Sequence, residues 1–141
     1  MEFKNLNREH SCNCTENSNE DTQNLFALKT MKSELRLQDF NSYWDKGRKP
    51  QSESCTDICS HKGISISLFT DETKEEVTEI YKSLFPLAPK YKPYLSVIKF
   101  YESAGLVKHT PNEINKHHHD LYKCDTFDFS KINLVTVNEL H

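Results

Sequence analysis

The chain has 141 residues, of which 35% are hydrophobic and 28% are charged, and its formal net charge is -3. This length predicts one domain, and the negative charge gives no overall attraction to nucleic acid or to anionic lipid. No apolar run approaches the roughly 20 residues of a membrane span. We therefore expect a cytoplasmic protein whose partner is another protein, with neither nucleic acid nor a membrane favoured.

Residues 1–24 are rich in Asn, Glu, Ser, Thr, Asp and Cys. Such a segment buries too little apolar surface to offset the entropy that it would lose on ordering. We therefore predict a disordered polar tail over 1–24 and a single domain over 25–141. The start of the chain also lacks the apolar stretch of a secretory signal.

The chain has five cysteines, which are Cys12, Cys14, Cys55, Cys59 and Cys124. An odd number argues against a framework of disulfides. Disulfides are also rare in the cytoplasm. We therefore expect these residues to be reduced thiols or metal ligands.

The domain begins with a weakly patterned element over 25–35. Apolar residues at the spacing i, i+3, i+7 then predict a short helix over 38–46, and Gly47 stands where a left-handed residue commonly ends a helix. Residues 49–56 lack periodicity, which predicts a loop. Alternating Ile and Ser residues predict a half-buried strand from Ile64 to Phe69.

An amphipathic helix is predicted over 71–85. Its apolar residues recur at helical spacing and share one face; they are Val77, Ile80, Tyr81, Leu84 and Phe85. Thr73 and Glu76 fit a capping box at the start of this helix, and Pro86 ends it.

The remaining predicted elements are strands. Residues 95–102 fit either a helix or a strand, and their aromatic and β-branched content favours the strand. Further strands are predicted over 106–109, 121–123 and 132–137, the first of them after a turn at 103–105. Parallel winding would need more alternation of strands and helices. We therefore predict an α+β fold, a small and mostly antiparallel sheet packed with two helices.

A histidine cluster is the first candidate for chemistry. His117, His118, His119 and Asp120 are consecutive, with His109 upstream and Cys124 downstream. Imidazoles beside a carboxylate can bind a transition metal, or serve as acid and base near neutral pH. On a strand, His117 and His119 would share one face and His118 would take the other. The alternative is a solvated loop that leads into a strand.

A second candidate is a zinc site formed by Cys55, Cys59 and His61, because thiolate and imidazole are the ligands that zinc prefers. Its second pair of ligands would come from Cys12 and Cys14 with His10, or from Cys124 with a histidine of the cluster. The alternative is a pair of small thiols packed beneath the predicted strand. This alternative is favoured, because free cysteines are usually buried.

Two aromatic segments could stack on nucleobases, but each has a simpler interpretation. Trp44 lies at helical spacing with apolar neighbours, which favours packing in the core. Residues 89–94 interleave two lysines with two tyrosines, yet two charges make a weak patch and the prolines favour a loop.

The segment from Glu102 to Lys108, followed by the histidine cluster and Cys124, resembles the end of the winged helix in the ferric-uptake-regulator family. This resemblance implies a DNA-binding regulator with zinc bound by His117, His119 and Cys124. It also implies that residues 95–103 form a helix.

The sequence does not identify a function, and it contains neither a Gly-rich phosphate loop nor a Gly-x-Ser-x-Gly motif. The first hypothesis is a small cytoplasmic interaction or ligand-binding accessory protein without catalysis of its own. One alternative is the zinc-dependent winged-helix regulator. The other is a small enzyme that uses the histidine cluster for acid–base or metal chemistry, with Asp120 orienting the histidine that acts.

Overall fold

A computed structural model of the protein describes residues 1–7 and 11–141. In these ranges six strands form one sheet; they are β1 (Leu25–Thr30), β2 (Ile64–Leu68), β3 (Tyr94–Phe100), β4 (Gly105–His109), β5 (His118–Lys123) and β6 (Ile132–Glu139). Two α-helices are described, α1 (Cys55–Lys62) and α2 (Lys74–Leu84). The strand order is β4-β5-β2-β1-β3-β6, and every neighbouring pair is antiparallel. The predicted α+β class is therefore confirmed.

Apolar residues cover both faces of the sheet. One face, which we call the open-loop face, packs its strands against Phe40 and Phe127 from two loops. The other face carries both helices and is called the helical face. There Val77 and Tyr81 of α2 pack on Ala27 and on neighbouring apolar residues of β3.

Strand β2 confirms the predicted alternation of faces, but Ser67 on its polar side is buried rather than exposed. Ile64 and Ile66 are buried on the open-loop face, and Ser65 is exposed on the helical face. The residues favoured as a strand over 95–102 form β3, which pairs with both β1 and β6. Both faces of β3 are covered, because Ile98 and Phe100 pack in the core of one face and Leu95 and Val97 in the core of the other. This explains why the segment is apolar on both faces and fits two patterns.

Helix α2 is confirmed, but its capping box is not. The Thr73 hydroxyl donates to the carbonyl oxygen of Leu68 at 2.6 Å and accepts from the Thr70 amide at 2.9 Å. Thr73 makes no side-chain hydrogen bond to cap the helix. Its side chain therefore joins the end of β2 to the turn before α2.

The helix predicted over 38–46 is wrong. Only a 3₁₀ turn forms, over Leu37–Phe40. The Ser42 amide donates to Asp45 at 3.0 Å, and the Asp45 amide donates to Ser42 at 3.1 Å. Side chains that bind nearby backbone amides compete with helix formation, and the Phe40 side chain is drawn into the core. Gly47 does have the predicted positive φ, at 77°.

Helix α1 forms partly within the predicted loop. Its sequence has little apolar periodicity, and Ile58 is its one apolar side chain in the buried core. Its start does have a recognisable signal, because Ser54 accepts a hydrogen bond from the Asp57 amide as an N-cap residue.

The described residues of segment 1–24, which was predicted to be a disordered polar tail, pack on the domain. Leu6 and Cys14 are buried beside Tyr122, and Asn19 forms a backbone bridge with Val107. Composition favours disorder in this segment, but it cannot show that a covalent bond anchors the chain.

The anchors are two disulfides, Cys12–Cys55 and Cys14–Cys59, which join the segment to α1. The expectation that all five cysteines are reduced thiols or metal ligands is therefore corrected, and Cys124 is the free cysteine. The odd count was misleading because four cysteines pair and one remains unpaired in the core.

Candidate functional site

Strand β5 places consecutive residues of the histidine cluster on opposite faces of the sheet. On the open-loop face, the His119 ring meets Phe26 edge-on at 5.4 Å and stacks on His109 at 4.6 Å. His118 and Asp120 lie on the helical face, where register pairs them with Ser67 and Ser65. The cluster is therefore divided between two environments.

Asp120 is a buried carboxylate with incomplete hydrogen bonding. Its exposed fraction is 3%, and its Oδ1 atom has no hydrogen-bond partner among the described residues. Burial raises the pKa of Asp120 to about 6, against opposing effects of His118, the Thr110 hydroxyl and Lys108. A titratable group perturbed by burial in this way is a candidate for a functional role.

Asp120 opens on a cavity of about 540 Å³ between α1 and the β4–β5 hairpin, which we call the Asp120 pocket. Its other polar lining includes Glu16, Thr56, Lys108 and Tyr122. The Tyr122 hydroxyl donates to the carbonyl oxygen of Cys59 at 3.0 Å. This bond and the Cys14–Cys59 disulfide hold α1 as a wall of the pocket.

His118 stands beside Asp120 and has polar partners on both ring nitrogens. Its Nε2 lies 3.0 Å from the Ser65 Oγ atom. Its Nδ1 lies 2.9 Å from the Thr110 hydroxyl and 3.0 Å from the Thr110 carbonyl oxygen. His118 lines both the Asp120 pocket and a second cavity of about 520 Å³. We call this second one the Ser65 cavity; it is lined by Ser65, Tyr81, Leu84, Phe85, Asn112, Glu113, Ile114, Asn115 and His118.

A buried polar network fixes the loop that borders both cavities. The Asn115 side chain donates to the Ser67 hydroxyl at 2.9 Å, and that hydroxyl lies 2.8 Å from the Tyr81 hydroxyl. Burial raises the pKa of Tyr81 to about 12, so its hydroxyl stays protonated. Asn112 accepts from the amides of Ile114 and Asn115. The loop is therefore tied to both β2 and α2.

The alternation rule predicted that His117 and His119 share one face, and the structure shows that they do not. His117 precedes β5, and its Nε2 lies 3.0 Å from the Glu76 carboxylate on α2. The hydrogen bond from His117 lowers the pKa of Glu76. The rule fails here because His117 still belongs to the irregular loop.

The predicted zinc ligands are not brought together. Cys124 is buried and donates to the Ser103 carbonyl oxygen at 3.0 Å, and five strand residues place it roughly 17 Å from His119. Across residues 1–7 and 11–141, no three His, Cys, Asp or Glu side chains are arranged to hold a metal ion.

The Cys55–Cys59–His61 candidate has its ligand atoms engaged elsewhere. Both sulfurs are in disulfides, and His61 Nε2 lies 2.6 Å from the Arg48 carbonyl oxygen. His10, which was named as a possible further zinc ligand, lies outside the described residues. Zinc binding therefore stays a prediction that has no support from the described geometry.

The winged-helix alternative requires a recognition helix over residues 95–103, and the structure has strand β3 at this place. Because β3 is hydrogen-bonded between β1 and β6, it cannot enter a DNA groove. This alternative is therefore corrected and is not carried forward.

The two aromatic segments offer little to a nucleobase. The Lys62 ammonium lies 4.5 Å from the centre of the Trp44 ring. Residues 89–94 line a cavity of about 720 Å³ in a loop region, and Lys92 there pairs with Glu139 at 2.7 Å. The charge of that loop is therefore partly balanced within the protein.

Several residues of the site were not predicted from the sequence, namely Ser65, Thr110 and Tyr122. A signal existed for Ser65, because it lies on the polar side of a strand whose other side is apolar. No local pattern could indicate Thr110 or Tyr122, since strand pairing brings them to the site.

Comparisons of this chain with protein-family models, with curated proteins and with solved structures give no match. No helix within the described ranges combines the length and the apolar character needed to cross a bilayer. Any functional assignment must therefore rest on the chemistry of the residues described above.

Proposed function

We propose that the protein binds a small organic ligand that carries a hydrogen-bond donor, and that the ligand lies in the Asp120 pocket. The observation that supports this most strongly is the Oδ1 atom of Asp120, which is buried without a hydrogen-bond partner among the described residues. The large majority of buried side-chain polar atoms have such a partner. Asp120 lines the pocket, and a small rotation of its carboxyl group would let an amine or hydroxyl group of the ligand supply the missing donor to the covered oxygen.

The composition of the pocket supports a polar ligand of modest size. Its volume of about 540 Å³ lies within the ordinary range for small-molecule sites. Its lining combines a carboxylate at Glu16, an ammonium at Lys108 and a hydroxyl at Thr56. Such a mixture suits a ligand with both donors and acceptors better than an apolar one.

The disulfides bear on where the protein works. Paired cysteines persist in oxidising compartments and are rare in the cytoplasm. The two disulfides therefore favour an oxidising location over the cytoplasmic one predicted from composition. Among the described residues nothing identifies a protein partner, so that part of the first hypothesis stays a prediction.

The test is an NMR titration of the ¹⁵N-labelled full chain at pH 7.5 with ethanolamine, which carries both an amine and a hydroxyl. Acetate, which has only acceptors when ionised, is the control ligand. We expect ethanolamine to shift the amide resonances of Thr110, His118 and Asp120 more than acetate does. Asp120→Asn should weaken ethanolamine about tenfold or more, because a hydrogen bond to a charged group contributes about 1.5–3 kcal/mol.

Two results would contradict the proposal. One is an equal response to ethanolamine and acetate. The other is ethanolamine binding that Asp120→Asn leaves unchanged. Glu113→Gln serves as the matched control, because Glu113 lines the neighbouring cavity and not the Asp120 pocket.

A further inference from the structure

Ser65 and His118 form a hydroxyl–imidazole pair on the helical face. The Ser65 Oγ atom and the His118 Nε2 atom are 3.0 Å apart. Antiparallel pairing of β2 with β5 sets this distance, because Ser65 lies opposite Asp120 and His118 is two residues from Asp120 on the same face. Two neighbouring strands of a rigid sheet therefore position the pair.

The hydrogen bonds of His118 determine which nitrogen carries the proton. A carbonyl oxygen only accepts, and that of Thr110 lies 3.0 Å from Nδ1, so neutral His118 carries its proton on Nδ1. The lone pair on Nε2 then faces the Ser65 hydroxyl, which donates to it. This is the arrangement in which a histidine can remove a proton from a serine nucleophile.

Ser65 is accessible to a reactant. Its side chain is exposed in β2, and it lines the Ser65 cavity together with His118. The lining of this cavity also includes the apolar side chains of Leu84, Phe85 and Ile114. Leu84 and Ile114 are 43% and 66% exposed, so an apolar group bound there would cover surface that water now contacts.

We infer that Ser65 is a nucleophile activated by His118, and that the pair hydrolyses small esters whose apolar acyl chain lies against Leu84, Phe85 and Ile114. The inference goes beyond the proposed ligand binding, because it uses the neighbouring cavity and a different pair of atoms.

In the first step, the Ser65 oxygen attacks the ester carbonyl carbon while His118 Nε2 takes the Ser65 proton. The bond from the carbonyl carbon to the alcohol oxygen then breaks, and His118 returns this proton to the departing alcohol. An acyl ester of Ser65 remains. Water then attacks its carbonyl carbon and gives a proton to His118. The Ser65 oxygen leaves and recovers that proton, which releases the carboxylic acid.

The Nδ1 partners of His118 set an expectation for the rate. In the Ser-His-Asp arrangement a carboxylate holds the imidazole and stabilises its charged form. Here a neutral carbonyl and a hydroxyl of Thr110 hold it instead. We therefore expect slow turnover with covalent acylation that can be trapped.

The experiment is labelling of the full chain with diisopropyl fluorophosphate, read by peptide mass spectrometry. The Ser65 oxygen displaces fluoride and becomes phosphorylated, which leaves a stable adduct. We expect the adduct on Ser65 and none on that peptide in Ser65→Ala. His118→Gln should slow labelling about 100-fold or more, which is the usual range for a lost general base. His117→Gln is the matched control and should label at the original rate, since His117 pairs with Glu76 outside the site.

Hydrolysis of p-nitrophenyl butyrate gives the second measurement. We expect an initial burst that Ser65→Ala removes and a slower reaction with the acetate ester, whose acyl chain is shorter. An adduct on another residue, no adduct at all, or equal labelling of His118→Gln would overturn the inference. Thermal melts of all variants check folding. Because Ser65 does not line the Asp120 pocket, ethanolamine titration of Ser65→Ala separates a failure here from a failure of ligand binding.

Discussion

Gly63 lies directly against the carboxyl group of Asp120. A methyl group built on the Gly63 Cα atom would lie 2.7 Å from the Asp120 Cγ atom and 2.7 Å from its Oδ1 atom. Gly63 has a φ of −85°, which any residue can adopt. The position therefore requires glycine for space rather than for backbone freedom, and it determines where the Asp120 carboxylate can lie.

Gly63→Ala should consequently destabilise the protein by about 1–3 kcal/mol, the usual cost of adding a methyl group to a packed site. Urea unfolding measures the change. In an Asp120→Gly background the same substitution should cost much less, because the clashing atoms are gone. An equal cost in both backgrounds would show that the contact does not limit this position.

Asp120 should make the protein less stable as pH rises, which is the reverse of the effect of a carboxylate whose pKa is lowered by folding. Its pKa of about 6 in the folded protein lies above its ordinary value of 3.8, so the folded state binds more protons between these values. Stability should therefore fall as pH rises from about 4 to above 6, by at most about 3 kcal/mol. Asp120→Asn removes this dependence and should be more stable than the original protein at pH 7.5, by about 1–2 kcal/mol.

Urea unfolding at pH 4.5 and pH 7.5 checks this expectation. The difference between Asp120→Asn and the original chain should be large at the higher pH and small at the lower one. A variant that is less stable at pH 7.5 would mean that the carboxylate stabilises the fold, which would contradict this expectation.

The contrast between strand β2 and helix α1 illustrates what the sequence can and cannot indicate. Apolar periodicity identified β2 and α2 because their buried residues recur at fixed spacing. Helix α1 has almost no such pattern, since covalent bonds to residues 12 and 14 replace much of the packing that would otherwise hold it. The sequence could not indicate those pairings.

The candidate site was also predictable only in part. His118 and Asp120 were recognised as unusual residue types in a cluster. Their partners come from elsewhere in the chain, since Ser65 lies 53 residues from His118. Only the register of β2 on β5 brings these residues together. Local patterns therefore identified chemical groups and not their arrangement.

His119 should oppose Asp120 in the pH dependence. Burial lowers the pKa of His119 below its ordinary value of 6.5, and the nearby charges of His109 and His118 add to this effect. The folded state therefore favours neutral His119. Its contribution to stability is complete above pH 6.5 and is lost progressively as pH falls through the lowered folded-state pKa.

This expectation is best measured in the Asp120→Asn background, where the opposing titration is absent. Thermal unfolding from pH 7.5 to pH 5 should show a loss of stability that His119→Gln reduces. His141→Gln is the matched control, because His141 is exposed at the end of the chain. A loss of equal size in both variants would show that other groups govern the acid sensitivity.

The disulfides should stabilise the fold in a strongly non-additive way. The paired cysteines are 43 and 45 residues apart, and a single crosslink that closes a loop of this length contributes about 4 kcal/mol in the chain-entropy account. The two bridges join nearly the same points of the chain. Once either is closed, the other closes only a small additional loop and contributes about 2 kcal/mol.

Replacing one pair by serine, as in Cys12→Ser with Cys55→Ser, should therefore lower the free energy of unfolding by about 2 kcal/mol, and replacing Cys14 with Cys59 should do the same. Removing both pairs should cost clearly more than the sum of the two, because the long loop is then open. Cys124→Ser controls for the loss of a buried sulfur without a crosslink. Simple additivity in urea unfolding would mean that the bridges act through local packing of α1 rather than through the chain between them.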